Sequence, residues 1–242
     1  MLISITTINL IIGQANIEGL LNKAEQHYQV NEYKQAKLYY EEYMKKKGNI
    51  NAAVYHNLGN VYYKNNQLGL ALVNYKRGLR FNPRDKDLLY NFKIAKSHVL
   101  ENAINKVKPE QVIQKGLSIV SVQEWFYLLL GVIVILNIFL TLFYKNKKIE
   151  KIKVGLFTAL GILIGVLILL TSTIYIQFLD DNAFVISKKV AIKSGPSVDF
   201  STLFYIHDGA LVKILDHKKA WVLLECNNRL KGWVEKQNIE KI

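Results

Sequence analysis

Five histidines, at positions 27, 56, 98, 207 and 217, and one cysteine, Cys226, are the side chains of this sequence best suited to hold a metal or move a proton. Their spacing builds no such site. No two histidines stand in the H-x-x-x-H spacing that puts both imidazoles on one helix face. A lone thiol can neither close an intramolecular disulfide nor form a C-x-x-C pair. Within "WVLLECNNRL" Cys226 has the setting of a small core residue at a strand end, a reactive thiol being the alternative. The carboxylate pairs Glu41–Glu42 and Asp180–Asp181 have the setting of solvated flanks, and His207–Asp208 that of a turn. There is no G-x-S-x-G elbow and no glycine-rich phosphate loop. The sequence therefore predicts no catalytic residue, no metal site and no cofactor, hence a binding protein rather than an enzyme.

The chemistry that remains is recognition by aromatic, amide and basic side chains, and paired helices are the elements that would position them. The stretch "AAVYHNLGNVYYKNNQLGLALVNYKRGLRFNP" (52–83) places large aromatics at Tyr55, Tyr62 and Tyr75 and Leu58 beside Gly59. Small Gly59 and Ala71 let two antiparallel helices touch, the aromatics fill the space beside them, and Pro83 stops the second helix. On these residues the stretch resembles a tetratricopeptide repeat, with Gly78 in place of the usual alanine. "AEQHYQVNEYKQAKLYYEEY" is a more degenerate copy upstream. Ala24 replaces the glycine, while Tyr28 aligns with Tyr63, Ala36 with Ala71 and Tyr40 with Tyr75, an offset of 35 residues. Two repeats, about 17–51 and 52–85, and a capping helix in "RDKDLLYNFKIAKSHVLENAI" make an all-α domain over 16–104. The resemblance implies a concave wall on the first helix of each pair. His56, Asn60, Tyr63 and Lys64 line it in the second repeat and Leu21, Glu25 and Tyr28 in the first, as a groove for a peptide or partner helix. Ordinary solvated helix residues are the alternative.

Hydropathy dominates the ends and the middle. "MLISITTINLIIGQA" (1–15) is an uncharged apolar run closing on Gly13-Gln14-Ala15, the pattern of a secretory signal peptide; an amphipathic first helix is the alternative. A linker (105–124) with Pro109 and Gly116 leads to two long apolar runs. Their lengths predict transmembrane helices at 125–144 and 154–177, with aromatics such as Trp125, Tyr127, Tyr144 and Tyr175 near their ends. Gly161 and Gly165 form a G-x-x-x-G pair that would let the two approach closely. Lys145, Lys147, Lys148, Lys151 and Lys153 crowd the connection (145–153), which the positive-inside rule assigns to the cytoplasm. Both long flanks then lie outside.

After 183 the style changes to short β-branched runs parted by turn signals, as in a small all-β barrel. "VAIKSGPS" (190–197), "DGALVKIL" (208–215), Trp221 and "GWV" (232–234) resemble the bacterial SH3-like (SH3b) domain over 183–242, with Lys193 where arginine is usual. That resemblance implies a groove lined by Tyr205, Trp221 and Trp233 for a cell-wall peptide or protein segment. The alternative is that so small a barrel uses its tryptophans as core.

The formal charge of +13 does not mark a nucleic-acid protein. Residues 16–103 carry 14 basic and 8 acidic side chains and 176–242 carry 10 and 8, so neither folded part is strongly basic. The fold class expected is a multi-domain membrane protein: tetratricopeptide domain, two-helix transmembrane hairpin and small SH3-like barrel. That order of parts resembles the BatE-type proteins of the bacterial aerotolerance (Bat) operons. The resemblance implies a scaffold at the bacterial inner membrane, multi-pass, with both soluble domains periplasmic. Its partners would be proteins or peptides, in particular membrane-bound Bat proteins with von Willebrand A domains, besides the lipid bilayer. The alternative is a cell-wall sensor that binds peptidoglycan peptide.

Overall fold

Alanine, glycine and tyrosine at a fixed period set the helical half of the molecule. Helix α1 (Ile5–Gln29) pairs with α2 (Tyr33–Lys46), α3 (Ala52–Lys64) with α4 (Leu68–Phe81), and α5 (Lys86–Ser97) follows. The structure, a computed structural model, describes residues 5–47, 51–99, 121–144, 160–171, 174, 181–226 and 230–242, with side chains from Ile17 onward except at 122, 137 and 139–144. The linker from 105 to 120 and the five lysines of 145–153 lie outside the described residues.

The two helix pairs turn in the same way. Asn31 and Asn66, 35 residues apart, both adopt left-handed backbone, with φ of 63° and 56°. Behind each, the next N–H reaches back five residues, Glu32 to the His27 carbonyl and Gln67 to that of Tyr62, both at 2.9 Å. This is the Schellman closure, and asparagine tolerates the conformation it needs. Inside each pair the small residue and the tyrosine of the second helix are sealed: Ala36 and Ala71 are fully buried, as are Tyr40 and Tyr75. Asn51 caps α3 by accepting the Val54 N–H at 3.0 Å, and Asp85 caps α5 by accepting those of Asp87 and Leu88. Helix α4 ends at Phe81, and Asn82 before Pro83 is pushed out of helical backbone.

The C-terminal region is a seven-stranded antiparallel sheet of order β3-β2-β6-β5-β4-β1-β7. Its strands are β1 (Asn182–Val185), β2 (Lys189–Lys193), β3 (Thr202–His207), β4 (Leu211–Lys218), β5 (Trp221–Glu225), β6 (Lys231–Glu235) and β7 (Ile239–Lys241). One face is aliphatic and buried, built from Val185, Ile192, Val212, Val222, Leu224 and Val234. Residues Met1–Lys106 and Asp181–Ile242 form one compact unit and Val107–Asp180 a second.

The second unit contains α6 (Val122–Tyr144) and a helical stretch at 160–171. Ser121 and Glu124 open α6 with a capping box: the Ser121 N–H donates to Glu124 Oε2 at 2.8 Å, and the Glu124 N–H to Ser121 Oγ at 3.2 Å.

The fold expected from the sequence is corrected here. Among the described residues, no helix is long and apolar enough to cross a membrane. The two-helix transmembrane hairpin is therefore withdrawn. What stands is a helical repeat region with a C-terminal antiparallel sheet.

Candidate partner-binding surface

The repeat-forming residues build the wall from behind. Leu58 and Tyr62 are buried in the helical core, and Tyr55 stacks on Phe81 with centroids 5.8 Å apart. Gly59 is the point of closest approach, because a Cβ there would lie 2.5 Å from the Tyr75 ring. Tyr75 in turn reaches past Gly59 and donates its hydroxyl to Asn60 Oδ1 at 2.8 Å. Pro83 is half-buried beyond the end of α4.

On the α3 side facing α5, the structure joins His56 and Asn60 through a residue the sequence did not single out. Asn91 of α5 places its Nδ2 2.8 Å from His56 Nε2 and 2.9 Å from Asn60 Oδ1. One carboxamide thus bridges two positions a helical turn apart, and Asn60 Oδ1 accepts from both Tyr75 and Asn91. Tyr63 meets His98 across the same gap, with ring centroids at 5.9 Å and Oη 3.4 Å from Nδ1. Lys64 is exposed, and its ammonium stands 6.0 Å from the Tyr33 ring. Tyr33 also takes the edge of Tyr28 at 5.4 Å, so Lys64 and Tyr28 flank one aromatic. Leu21 is half-buried and Glu25 exposed. A signal for Asn91 existed: Asn60 and Asn91 lie about one repeat apart, on α3 and on the helix that follows the pair.

The tyrosines hold their protons tightly. Burial first, then the carboxylate of Glu25, pushes the Tyr40 phenol up to about 12. Burial also raises Tyr75, Tyr62 and Tyr28, and Glu41, which accepts the Tyr62 hydroxyl at 2.7 Å, raises Tyr62 further. For each, the folded state keeps a proton that the unfolded state loses near pH 10. Stability contributed by these groups is therefore whole below pH 10 and falls as pH rises from there toward 12. Tyr40 alone accounts for a loss of about 2 kcal/mol by pH 12. The phenolate absorbance that Tyr40→Phe removes should appear together with loss of helical ellipticity rather than before it.

In the sheet, neither tryptophan belongs to the buried core, which is aliphatic. Trp233 stands opposite Leu223 and Lys193, and Tyr205 opposite Ala191, so these side chains share the face turned away from the core. Trp221, two residues from Leu223, is on that face too, and it and Trp233 are half-buried. Tyr205 is 54% exposed, with the Lys189 ammonium 4.4 Å above its ring.

Two features were missed at the sequence level. Helix α4 takes no cap from its own Gln67. The Asp208 carboxylate, from the turn after β3, accepts the Leu68 and Gly69 N–H groups, each at 2.8 Å. Burial raises the Asp208 carboxyl, while those N–H groups and that of Gly209 pull the other way. Further along α4, Arg77 Nη2 donates to Glu240 Oε1 and to the Lys241 carbonyl, both at 2.7 Å, and Arg80 to the Ile242 carbonyl at 3.0 Å.

No curated protein matches the chain. A family model described as the tetratricopeptide repeat matches residues 52–85, the α3–α4 pair that carries Gly59, Asn60, Tyr63 and Tyr75.

Proposed function

We propose that the protein is an extracytoplasmic adaptor that holds a segment of a partner protein on the α1–α3–α5 side of its repeats. Tetratricopeptide repeats bind proteins or peptides, and the match over 52–85 is the observation that carries the proposal. The chemistry supports it. Asn60 and Asn91 offer carboxamides, the groups that pair with the main chain of an extended segment. Tyr28 and Tyr63 offer apolar flanks with polar tips, and Lys64 an exposed charge. No bond is made or broken in this role, and no cofactor is required.

The finer part of the proposal rests on the leader-like apolar run at 1–15 and on the resemblance to BatE-type proteins. It places the adaptor at the bacterial inner membrane, repeats and sheet on the periplasmic side, in a Bat-type complex linked to envelope or oxidative stress. Membrane-bound partners with von Willebrand A domains are the ones it names. Exposed Tyr127, Leu128, Val134 and Ile135 on α6 supply apolar surface that favours a lipid setting.

A second proposal, a cell-wall sensor, is favoured by one observation: Tyr205, Trp221 and Trp233 lie off the core on one sheet face. Photo-crosslinkers at positions 64 and 205 separate the two. The adaptor predicts protein adducts from 64; peptidoglycan adducts from 205 with none from 64 would replace it with the sensor.

A further inference from the structure

We propose that the C-terminal sheet is a flanking module of the repeats, docked on α4, and that it stays docked when the chain is cut between the two. This goes beyond the adaptor proposal and does not depend on it.

Three independent kinds of contact meet at α4. The first is polar. A helix N-terminus exposes N–H groups that nothing inside the helix can satisfy, and α4 satisfies two of them with Asp208, a residue about 140 positions downstream. The second is steric. Gly69 lets α4 sit directly on β1, since a Cβ there would be 1.9 Å from the Val185 carbonyl oxygen and 2.7 Å from Asp208 Oδ1. Gly209, with φ of +85°, holds the turn that aims Asp208, and its own Cβ position is closed by Val99 and Leu68. The third is apolar. Phe184 of β1 is 3% exposed and belongs to the core cluster of the helices, not to that of the sheet, with Leu211 and Ile242 packed against the same cluster. Arg77 and Arg80 then fasten β7 and the residue after it along the second half of the helix.

Arrays of helix pairs leave a hydrophobic flank at each end that needs a polar cover. Helix α5 occupies that end here, and the sheet of the same chain covers the side of α4 instead. The consequence for function runs through that helix, which presents Tyr75 to Asn60 on the binding side and Arg77 to Glu240 on the sheet side. A partner seated on the repeats and a load on the sheet therefore bear on one rigid element.

The test uses the full-length protein. Alanine is a better helix former than glycine, so on a free α4 the variant Gly69→Ala would raise Tm by ~2 °C. With the sheet docked it lowers Tm instead, because Cβ collides with Val185. Hydrogen exchange in Asp208→Ala gives a local readout that survives any global change. The Leu68 and Gly69 amides should exchange about ten- to a hundredfold faster, with α3 amides unchanged. A protease site placed within 107–120 completes the test: after cleavage the two pieces should co-elute. A rise in Tm for Gly69→Ala, unchanged exchange at Leu68 and Gly69, or separation of the cut pieces overturns the proposal.

Discussion

Replacing Gly59 with valine should cost the protein about 3 kcal/mol and dismantle the binding side with it. The position is buried between α3 and α4, and even a methyl would sit 2.5–2.6 Å from two atoms of the Tyr75 ring. That ring cannot swing aside, because it is fully buried and its hydroxyl is held by Asn60. Overpacking of this kind costs about 1–3 kcal/mol, and valine adds two methyls against a ring that cannot yield. The gain in helix propensity on leaving glycine is only a few tenths of a kcal/mol for valine and does not change the sign. Thermal unfolding followed at the helical band measures the loss. Trimming the ring in Gly59→Val/Tyr75→Leu should recover part of it, since contacting residues are not additive. Equal stability of Gly59→Val and the native protein would mean that α3 and α4 do not touch here.

Phe184→Ala is expected to have a larger effect, about 3–5 kcal/mol, the range for emptying a buried phenylalanine site. Its diagnostic value lies in where the damage falls. Phe184 is a strand residue of the sheet, yet its ring is part of the helical core. The helices should therefore lose exchange protection along with the sheet. By contrast Val222→Ala, inside the sheet's own core, should weaken the sheet first. Helices that keep full protection in Phe184→Ala would show that the ring contributes nothing to them.

Much of the helical half was legible because its constraints are local and periodic. Gly59, Ala71 and Tyr75 are the positions where two helices at fixed spacing must touch, and the copy 35 residues upstream repeats them as Ala24, Ala36 and Tyr40. The same logic would have found the Asn31 and Asn66 turns, and the "SVQE" capping box at Ser121–Glu124, had side-chain acceptors been sought at every helix start. The α4–sheet contact was not legible. Nothing in "NQLGLAL" says that Gly69 needs to be small for a strand carbonyl, and nothing in "HDGA" says that Asp208 serves a helix rather than its own turn. Such pairings depend on which surfaces meet, which composition does not encode. The tryptophans stay off the core for a related reason: enough valine, leucine and isoleucine alternate in β2, β4, β5 and β6 to fill it without them. Run length, hydropathy and end aromatics mark the two apolar runs as membrane spans, whereas among the described residues no helix is long and apolar enough to cross a membrane.

The adaptor account is tested most directly by mapping which face of the repeats touches another protein. Lys64 is exposed on the α3–α5 side, and Leu38, 57% exposed on α2, is a control away from that gap. A photo-crosslinking residue at each position in turn, in the full-length protein in intact cells, reads the two surfaces separately. The account predicts a discrete protein adduct from position 64 that disappears in Tyr63→Ala, and none of comparable yield from position 38. Equal adducts from both positions, or an adduct from 64 that persists unchanged in Tyr63→Ala, would contradict it.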